Sequence, residues 1–439
     1  MPSQPPRGEP SRTILIKNGR VIDPASQLDD RRDILIEDGK IAGLGKKIEI
    51  PKLREEAEVF DATGLVVAPG FIDLHVHLRE PGQESAETID TGTRAAAAGG
   101  FTAVAAMPNT SPVNDNPLIT RYILRQAEVA GHARVYPVGA ATKESAGEQL
   151  AEIESMREAG IVALSDDGMP IWNSRILRRV MEYARALDLP VIDHAEDPQL
   201  AAGGVMNEGD TAIRLGLRGI PAVAESVAVA RDLEVAALTG ARLHIAHLST
   251  RAALELVRRG KQEGIRVTCE VTPHHFTLTE EAVAEYNTNA KMNPPLRTAE
   301  DVAVLLSGLA DGTVDAIASD HAPHTATEKQ QDFDSAPFGI LGLETALALA
   351  LGRLYHTGKI SLLRLVELFS TNPARILGVP GGTLKLGARA DITILDPEKK
   401  WTYRAETGTS KSRNSPFDGW SFRGAPVAIL VAGHFAFRP

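Results

Sequence analysis

From Pro69 to about position 324 the chain repeats one pattern, a short apolar run followed by a stretch with helical spacing. The runs are "PGFIDLHVHLREPG", "FTAVAAMPNT", "ARVYPVGAAT", "GIVALSDDG", "LPVIDHAED", "RLHIAHLST", "RVTCEVTPHH" and "VDAIASDHAPH". Between them lie "NPLITRYILRQAEVAG", "GEQLAEIESMREAG", "SRILRRVMEYARALD" and "RAALELVRRGKQEG". Strands that alternate with helices of this length pair in parallel through helical crossovers. Repeated across roughly 300 residues, the pattern predicts an α/β chain closed into a (β/α)8 TIM-like barrel, a fold of about 200 to 400 residues. A doubly wound open sheet competes, but it carries a Gly-rich phosphate turn after its first strand, and "DLHVHLREPG" is not one.

Both flanks read differently. "TILIKNGRVID", "DILIEDGKIAGLG" and "AEVFDATG" precede the barrel as strands broken by Asn-Gly and Asp-Gly turns; "ADITILDPEKKWTY" and "PVAILVAGHFAF" follow it. Each flank is too short for a core of its own, so the two chain ends are expected to form one small β-sandwich domain. The resulting division is a disordered tail at 1–12, a composite sandwich from 13–68 and 375–439, and a barrel at 69–374. The tail, "MPSQPPRGEPSR", is Pro-rich and polar and lacks the apolar core of a secretory signal.

Composition narrows the partners. No apolar run approaches the roughly 18 residues of a membrane span. A net charge of −10 disfavours nucleic acid and anionic membranes as main partners. The single cysteine, Cys269, cannot form an internal disulfide, which suits a reducing cytoplasm.

The polar residues at the strand ends carry the chemistry. Strict alternation along the first strand puts Phe71, Asp73, His75, His77 and Arg79 on one face and Ile72, Leu74, Val76 and Leu78 on the other. The second strand ends in Asn109, the fourth in Asp166 and Asp167, the fifth in His194 and the sixth in His247. The seventh runs into His274 and His275, and the eighth ends in Asp320, His321 and His324. Singly each has a bland reading: a polar surface stripe, a helix cap, a satisfied core histidine. Together, four histidines and two carboxylates on the catalytic rim of a barrel are a poor way to pack a core. They suit two divalent cations. His244, three residues before His247, should by parity face a helix and serve structure only.

These residues resemble the amidohydrolase superfamily, and more closely its class I dihydroorotases. The anchors span nearly the whole chain: "GFIDLHVHLREPG", "AGGFTAVAAMPNT", "SDDG", "DHAED", "HIAHLST", "NPPLR", "SDHAPHT" and "APFGILGLET". The resemblance implies that His75 and His77 bind the more buried metal, His194 and His247 the second, and that Asp320 binds the first and acts as catalytic base. It also implies a bridging ligand at the end of strand four. Dihydropyrimidinases and allantoinases use a carboxylated lysine there, whereas this chain has no lysine between Lys143 and Lys261. An encoded carboxylate must replace it. Parity lets only one of Asp166 and Asp167 face inward without saying which; the family match favours Asp167.

The same resemblance implies zinc, two ions per subunit with one as the alternative. A water activated between the cations attacks the cyclic amide, and Asp320 moves the proton to the departing ring nitrogen. His77, Arg79, Asn109, Asn293 and His324, with the backbone at Phe338 and Gly339, are implied to contact the substrate. Arg79 suits a carboxylate held through two parallel hydrogen bonds, or else a salt bridge to Glu80 or another rim acid. The substrate then implied is (S)-dihydroorotate, in equilibrium with N-carbamoyl-L-aspartate, in pyrimidine synthesis. Another cyclic amidase, or a non-catalytic scaffold for aspartate transcarbamoylase, are the rival readings. A homodimer is the family expectation, and a complex with aspartate transcarbamoylase occurs among relatives. The polar segment "HTATEKQQDFDSAPFG" is expected to form a loop at the active-site mouth.

Overall fold

A computed structural model describes residues 13–49 and 57–438, so the tail expected at 1–12 lies outside the described residues. The first strands are β1 (Ile14–Asp23), β2 (Leu28–Glu37), β3 (Lys40–Gly45), β4 (Glu58–Asp61) and β5 (Val66–Pro69). Then come β6 (Phe71–Val76), β7 (Phe101–Ala106), β8 (Arg134–Gly139), β9 (Ala163–Leu164) and β10 (Pro190–Asp193). A small parallel pair, β11 (Met206–Asn207) and β12 (Gly219–Ile220), fills the connection after β10. The last are β13 (Arg242–Ile245), β14 (Val267–Val271), β15 (Ala316–Ile317), β16 (Ile392–Thr402), β17 (Ser421–Val431) and β18 (His434–Phe437).

The eight expected central strands pair in parallel in the order β15-β14-β13-β10-β9-β8-β7-β6. The ring closes where Val76 bridges His321 and the His77 N–H donates to the His321 carbonyl at 2.9 Å. Helices cover the outside and start where short polar side chains satisfy their free N–H groups. Thr88 and Thr91 form a capping box on the helix Ile89–Ala98, Asn116 caps Pro117–Ala130, and Thr250 caps Arg251–Gln262.

Small side chains fill the lumen, among them Ala103, Ala105, Ala163, Ala246, Ala316 and Ala318. Ala374, Ile376 and Leu377, from the helix Asn372–Leu377, close its floor, so this helix straddles position 374. The larger Val, Leu and Ile of the strands face the helices.

The single polar face expected for the first strand is not what forms. Ile72 and Leu74 point into the lumen, while Phe71, Val76 and Leu78 pack outward. The ladder between β6 and β7 slips between Asp73 and Val76, so faces exchange at that step. Asp73 stays in the wall, where its carboxylate accepts the N–H groups of His75 at 3.1 Å and Ser319 at 3.0 Å.

The two flanks build one mixed sheet in the order β18-β17-β16-β5-β1-β2-β3, with β4 also pairing β1. β5 lies between β1 and β16, so N-terminal and C-terminal strands share one ladder. Side chains from β2 and from β17, far apart along that path, meet in one core at Ile34, Ile36, Ala428 and Leu430, giving the sandwich. The expected Asn18-Gly19 turn is instead a bulge inside β1, where a Cβ on Gly19 would fall 2.6 Å from Val67. Asp38-Gly39 is the turn between β2 and β3, both residues having positive φ. Arg134 of β8 joins sheet to barrel through a two-pronged pair with Asp391, at 2.9 and 3.1 Å. No described helix is long and apolar enough to cross a membrane.

Candidate metal centre

The ends of β6, β9, β10, β13 and β15 bring His75, His77, Asp167, His194, His247 and Asp320 together, all buried. Asp167 is the hub. Its Oδ1 lies 3.2 Å from His75 Nε2, 3.6 Å from His247 Nε2 and 3.8 Å from His194 Nδ1; its Oδ2 lies 3.5 Å from His77 Nε2. Asp320 Oδ1 is 3.1 Å from His77 Nε2 and 3.6 Å from His75 Nε2. His194 Nδ1 and His247 Nε2 converge at 3.0 Å. Two groups therefore have the spacing of a cation site, His75–Asp167–His247 and His75–His77–Asp320, with His194 beside the first.

Adjacent Asp166 turns the other way. Its carboxylate accepts the N–H groups of Ala141 at 2.8 Å and Thr142 at 3.1 Å, together with the Thr142 hydroxyl. Burial pushes it up to about 6.

Electrostatics tests whether these groups fit metal. Asn109 Oδ1 accepts from His77 Nδ1 at 2.8 Å, and Glu270 Oε1 accepts from His75 Nδ1 at 3.2 Å, so each ring turns its Nε2 lone pair inward. Nε2 of His75 and Oδ1 of Asp167 are buried without a hydrogen bond. Burial favours a neutral Asp167, yet His75, His247 and His77 hold it well below the usual carboxylate range; Asp320 is lowered in the same way. Burial opposes charge on His75 too, but Asp167 and Asp320 hold it well above the ordinary imidazole value; the positive charge they favour at Nε2 is a proton's until a cation displaces it and frees the lone pair. Inward lone pairs, orphaned acceptors and two ionised carboxylates are what divalent cations require, and the set fits them.

Three residues of this rim have positive φ: Arg79 at 62°, His247 at 30° and Asp320 at 44°. For side chains other than glycine that is uncommon and concentrates at functional sites. It also corrects the reading of His244. His244 lies inside the barrel, with Nδ1 2.8 Å from Thr268 Oγ1 and Nε2 3.1 Å from Glu270 Oε2. The backbone at His247 breaks the alternation, so both histidines face the lumen. Glu270, fully buried and held by His75 and His244 at about 2, was not singled out from sequence; His244, burial aside, and His75 pull it down.

Arg79 is buried at the rim. Its Nε donates to the Pro323 carbonyl at 3.0 Å and its Nη2 lies 3.2 Å from His324 Nε2. Among the described residues no carboxylate reaches it within ion-pair distance, and Glu80 instead accepts from Ile89 N at 2.8 Å and the Tyr122 hydroxyl at 2.9 Å. His324 Nε2 also sits 2.8 Å from the Phe338 carbonyl; burial and then Arg79 push this imidazole down to about 3. Asn293 Nδ2 is 3.2 Å from His194 Nε2. Gly339 donates its N–H to the Lys291 carbonyl at 2.9 Å, so at Gly339 it is the carbonyl that can meet a ligand. The segment 325–339 does sit at this mouth, its far end locked onto His324 and Lys291.

A family model described as "Dihydro-orotase-like" matches residues 64–253. A protein of Solibacter usitatus named dihydroorotase is 56% identical over 420 residues, covering 96% of this chain and 97% of its own. One of Syntrophotalea carbinolica, also named dihydroorotase, is 55% identical over 425 residues, covering 97% and 99%. Among solved structures, the L-hydantoinase (dihydropyrimidinase) from Arthrobacter aurescens matches with a TM-score of 0.86 at 28% identity, covering 97% of this chain and 96% of that one. A D-hydantoinase from Thermus sp. matches at 0.81 and 27%, covering 97% and 95%. With more than half its residues shared with such relatives end to end, and a histidine–aspartate cage that suits divalent cations, the chain belongs to the dihydroorotase family of metal-dependent amidohydrolases.

Proposed function

We propose that the protein catalyses the reversible hydrolysis of the ring amide of (S)-dihydroorotate to N-carbamoyl-L-aspartate, a step of pyrimidine nucleotide synthesis. The observation that carries this reading is Arg79, a buried guanidinium free of acidic partners among the described residues and two positions beyond His77. Such a group favours a substrate with its own carboxylate, which hydantoins and dihydrouracil lack. An aspartate at the hub position, where those amidases carry a modified lysine, supports the same choice.

In this reading His75, His77 and Asp320 would hold one zinc ion and His194 and His247 a second, with Asp167 available to both; single occupancy is the alternative. When bound, zinc lowers the pKa of a water and polarises the amide carbonyl. Asp320, which burial and its histidines keep ionised, takes the proton of the attacking water. As the carbon–nitrogen bond breaks, Asp320 hands that proton to the leaving ring nitrogen. Arg79 and Asn293 hold the carboxylate side, His324 buttresses Arg79, and Asn109 fixes the His77 tautomer while its amide N–H₂ remains for the ligand. The Phe338 and Gly339 carbonyls each keep a lone pair for the N–H groups of the ring. From the family we also carry over a homodimer in the cytoplasm, and a complex with aspartate transcarbamoylase as a partner to look for.

One purified zinc-loaded sample assayed on dihydroorotate, allantoin and dihydrouracil tests the reading. Turnover confined to dihydroorotate is the expected result. Preference for dihydrouracil or allantoin would replace it with another cyclic amidase, and no turnover of any would point to a scaffold.

A further inference from the structure

The C-terminal segment "TSKSRNS", residues 409–415, leaves the sandwich sequence and runs across the barrel rim. Thr409 N donates to the Glu344 carboxylate at 2.9 and 3.0 Å, Lys411 N to Glu87 Oε1 at 3.1 Å, and the Ser412 hydroxyl to the Ala86 carbonyl at 2.6 Å. Near its end Asn414, 3% exposed, uses every polar atom of its side chain on two other segments. Oδ1 accepts from His324 N at 3.0 Å, and Nδ2 donates to the carbonyls of Ala322 at 2.9 Å and Gly339 at 3.0 Å. Its own carbonyl accepts from Leu341 N at 3.0 Å.

Those segments carry His324 on one side and Phe338–Gly339 on the other. They approach so closely that a Cβ on Gly339 would lie 2.7 Å from the Ala322 carbonyl oxygen and 2.7 Å from the His324 ring. Both carbonyls that Asn414 binds are acceptors, so only a donor fits between them. A carboxylate in its place would set two acceptors against its own charge.

We propose that Asn414 is a positioning residue for substrate recognition, fixing the distance between His324 and the Phe338–Gly339 backbone. The inference rests on the assignment of those groups to the substrate. With the Gly339 carbonyl turned by Nδ2, its second lone pair faces the pocket; with His324 N anchored by Oδ1, its imidazole stays against Arg79. Loss of either bond misplaces ligand-reading groups that lie apart from the histidine–aspartate cage, so binding suffers more than chemistry.

The test measures kcat, KM and zinc content of the full-length loaded enzyme for wild type, Asn414→Asp, Asn414→Ala and Ser412→Ala. Expected for both Asn414 variants is a KM for dihydroorotate raised about tenfold, with kcat within about threefold and zinc retained. Ser412→Ala, which removes a strap bond touching neither segment, keeps the wild-type KM. If Asn414→Asp is insoluble, Asn414→Ser, with one donor and one acceptor on a shorter arm, is read by the same criteria. Unchanged KM in the Asn414 variants, or an equal rise in Ser412→Ala, overturns the inference. Failure of wild type to turn over dihydroorotate overturns the substrate reading instead, and the KM comparison then passes to whichever cyclic amide wild type accepts.

Discussion

Asp166 and Asp167 are neighbours of identical chemistry with opposite surroundings. One carboxylate is consumed by backbone N–H groups of the β8 loop, the other by imidazoles. Asp167→Ala is therefore expected to lose bound metal and activity together while folding normally, as elemental analysis with a turnover assay would show. Asp166→Ala is expected to keep its metal but to lose about 1–3 kcal/mol in urea unfolding, because it strands buried donors. In the proposed reaction Asp320 both takes the proton and helps hold a cation, so Asp320→Asn should lower kcat by roughly 10²–10⁴. Glu270→Gln sets an amide against His75 or His244; zinc affinity measured by chelator competition should drop about 10–100-fold. How much of this was legible varied by residue. The six cage residues stood at strand ends, where polar side chains have no packing reason to be. Parity alone could not choose between two adjacent aspartates, and it sent His244 outward because nothing in the letters signals the backbone of His247. Glu270 did leave a trace: Thr268, Glu270 and Thr272 alternate with Val267, Cys269 and Val271, which marks a polar inner face.

At the scale of elements, the eight strands were readable because their apolar runs are short and their crossovers helical, whereas the slips within β6 and β1 were not. A one-residue slip costs a strand little locally and reverses every face beyond it. The segment after β15 was readable as polar but not as fixed. Its anchors are two buried lysines: Lys329 Nζ donates to the Thr288 and Pro337 carbonyls at 2.9 and 2.8 Å, and Lys291 Nζ to those of Phe333 and Asp334 at 2.6 and 3.1 Å. Burial, and then Lys291, push the Lys329 ammonium from 10.5 down to about 7. Between these values the unfolded chain binds more protons than the folded one, so this group makes folding more favourable as pH rises through the window. In urea unfolding, wild type should thus gain on Lys329→Met between pH 7 and pH 9.5; a difference independent of pH would remove this account.

For the molecule as a whole, both chain ends were rightly expected to meet, yet their interleaving with the barrel was invisible in sequence because it depends on contacts between segments hundreds of residues apart. Arg134 and Asp391, 257 positions apart, make the clearest tie. Asp391→Ala should cost about 3 kcal/mol in unfolding experiments, since it removes two charge-assisted bonds from a mostly buried guanidinium. Removing the bound cations with a chelator should lower the melting temperature and restoring them should reverse the loss, because a cation binds the folded cage and not the open chain. Barrel closure through His77 and His321 carries a temporal consequence. During synthesis the two strands that bracket the seam are the first and last of the eight barrel strands to leave the ribosome, some 240 residues apart, so cation capture is expected to be a late event in the life of each polypeptide. Ribosome-stalled chains ending before Asp320 should not retain a divalent cation, and those extending past β17 should.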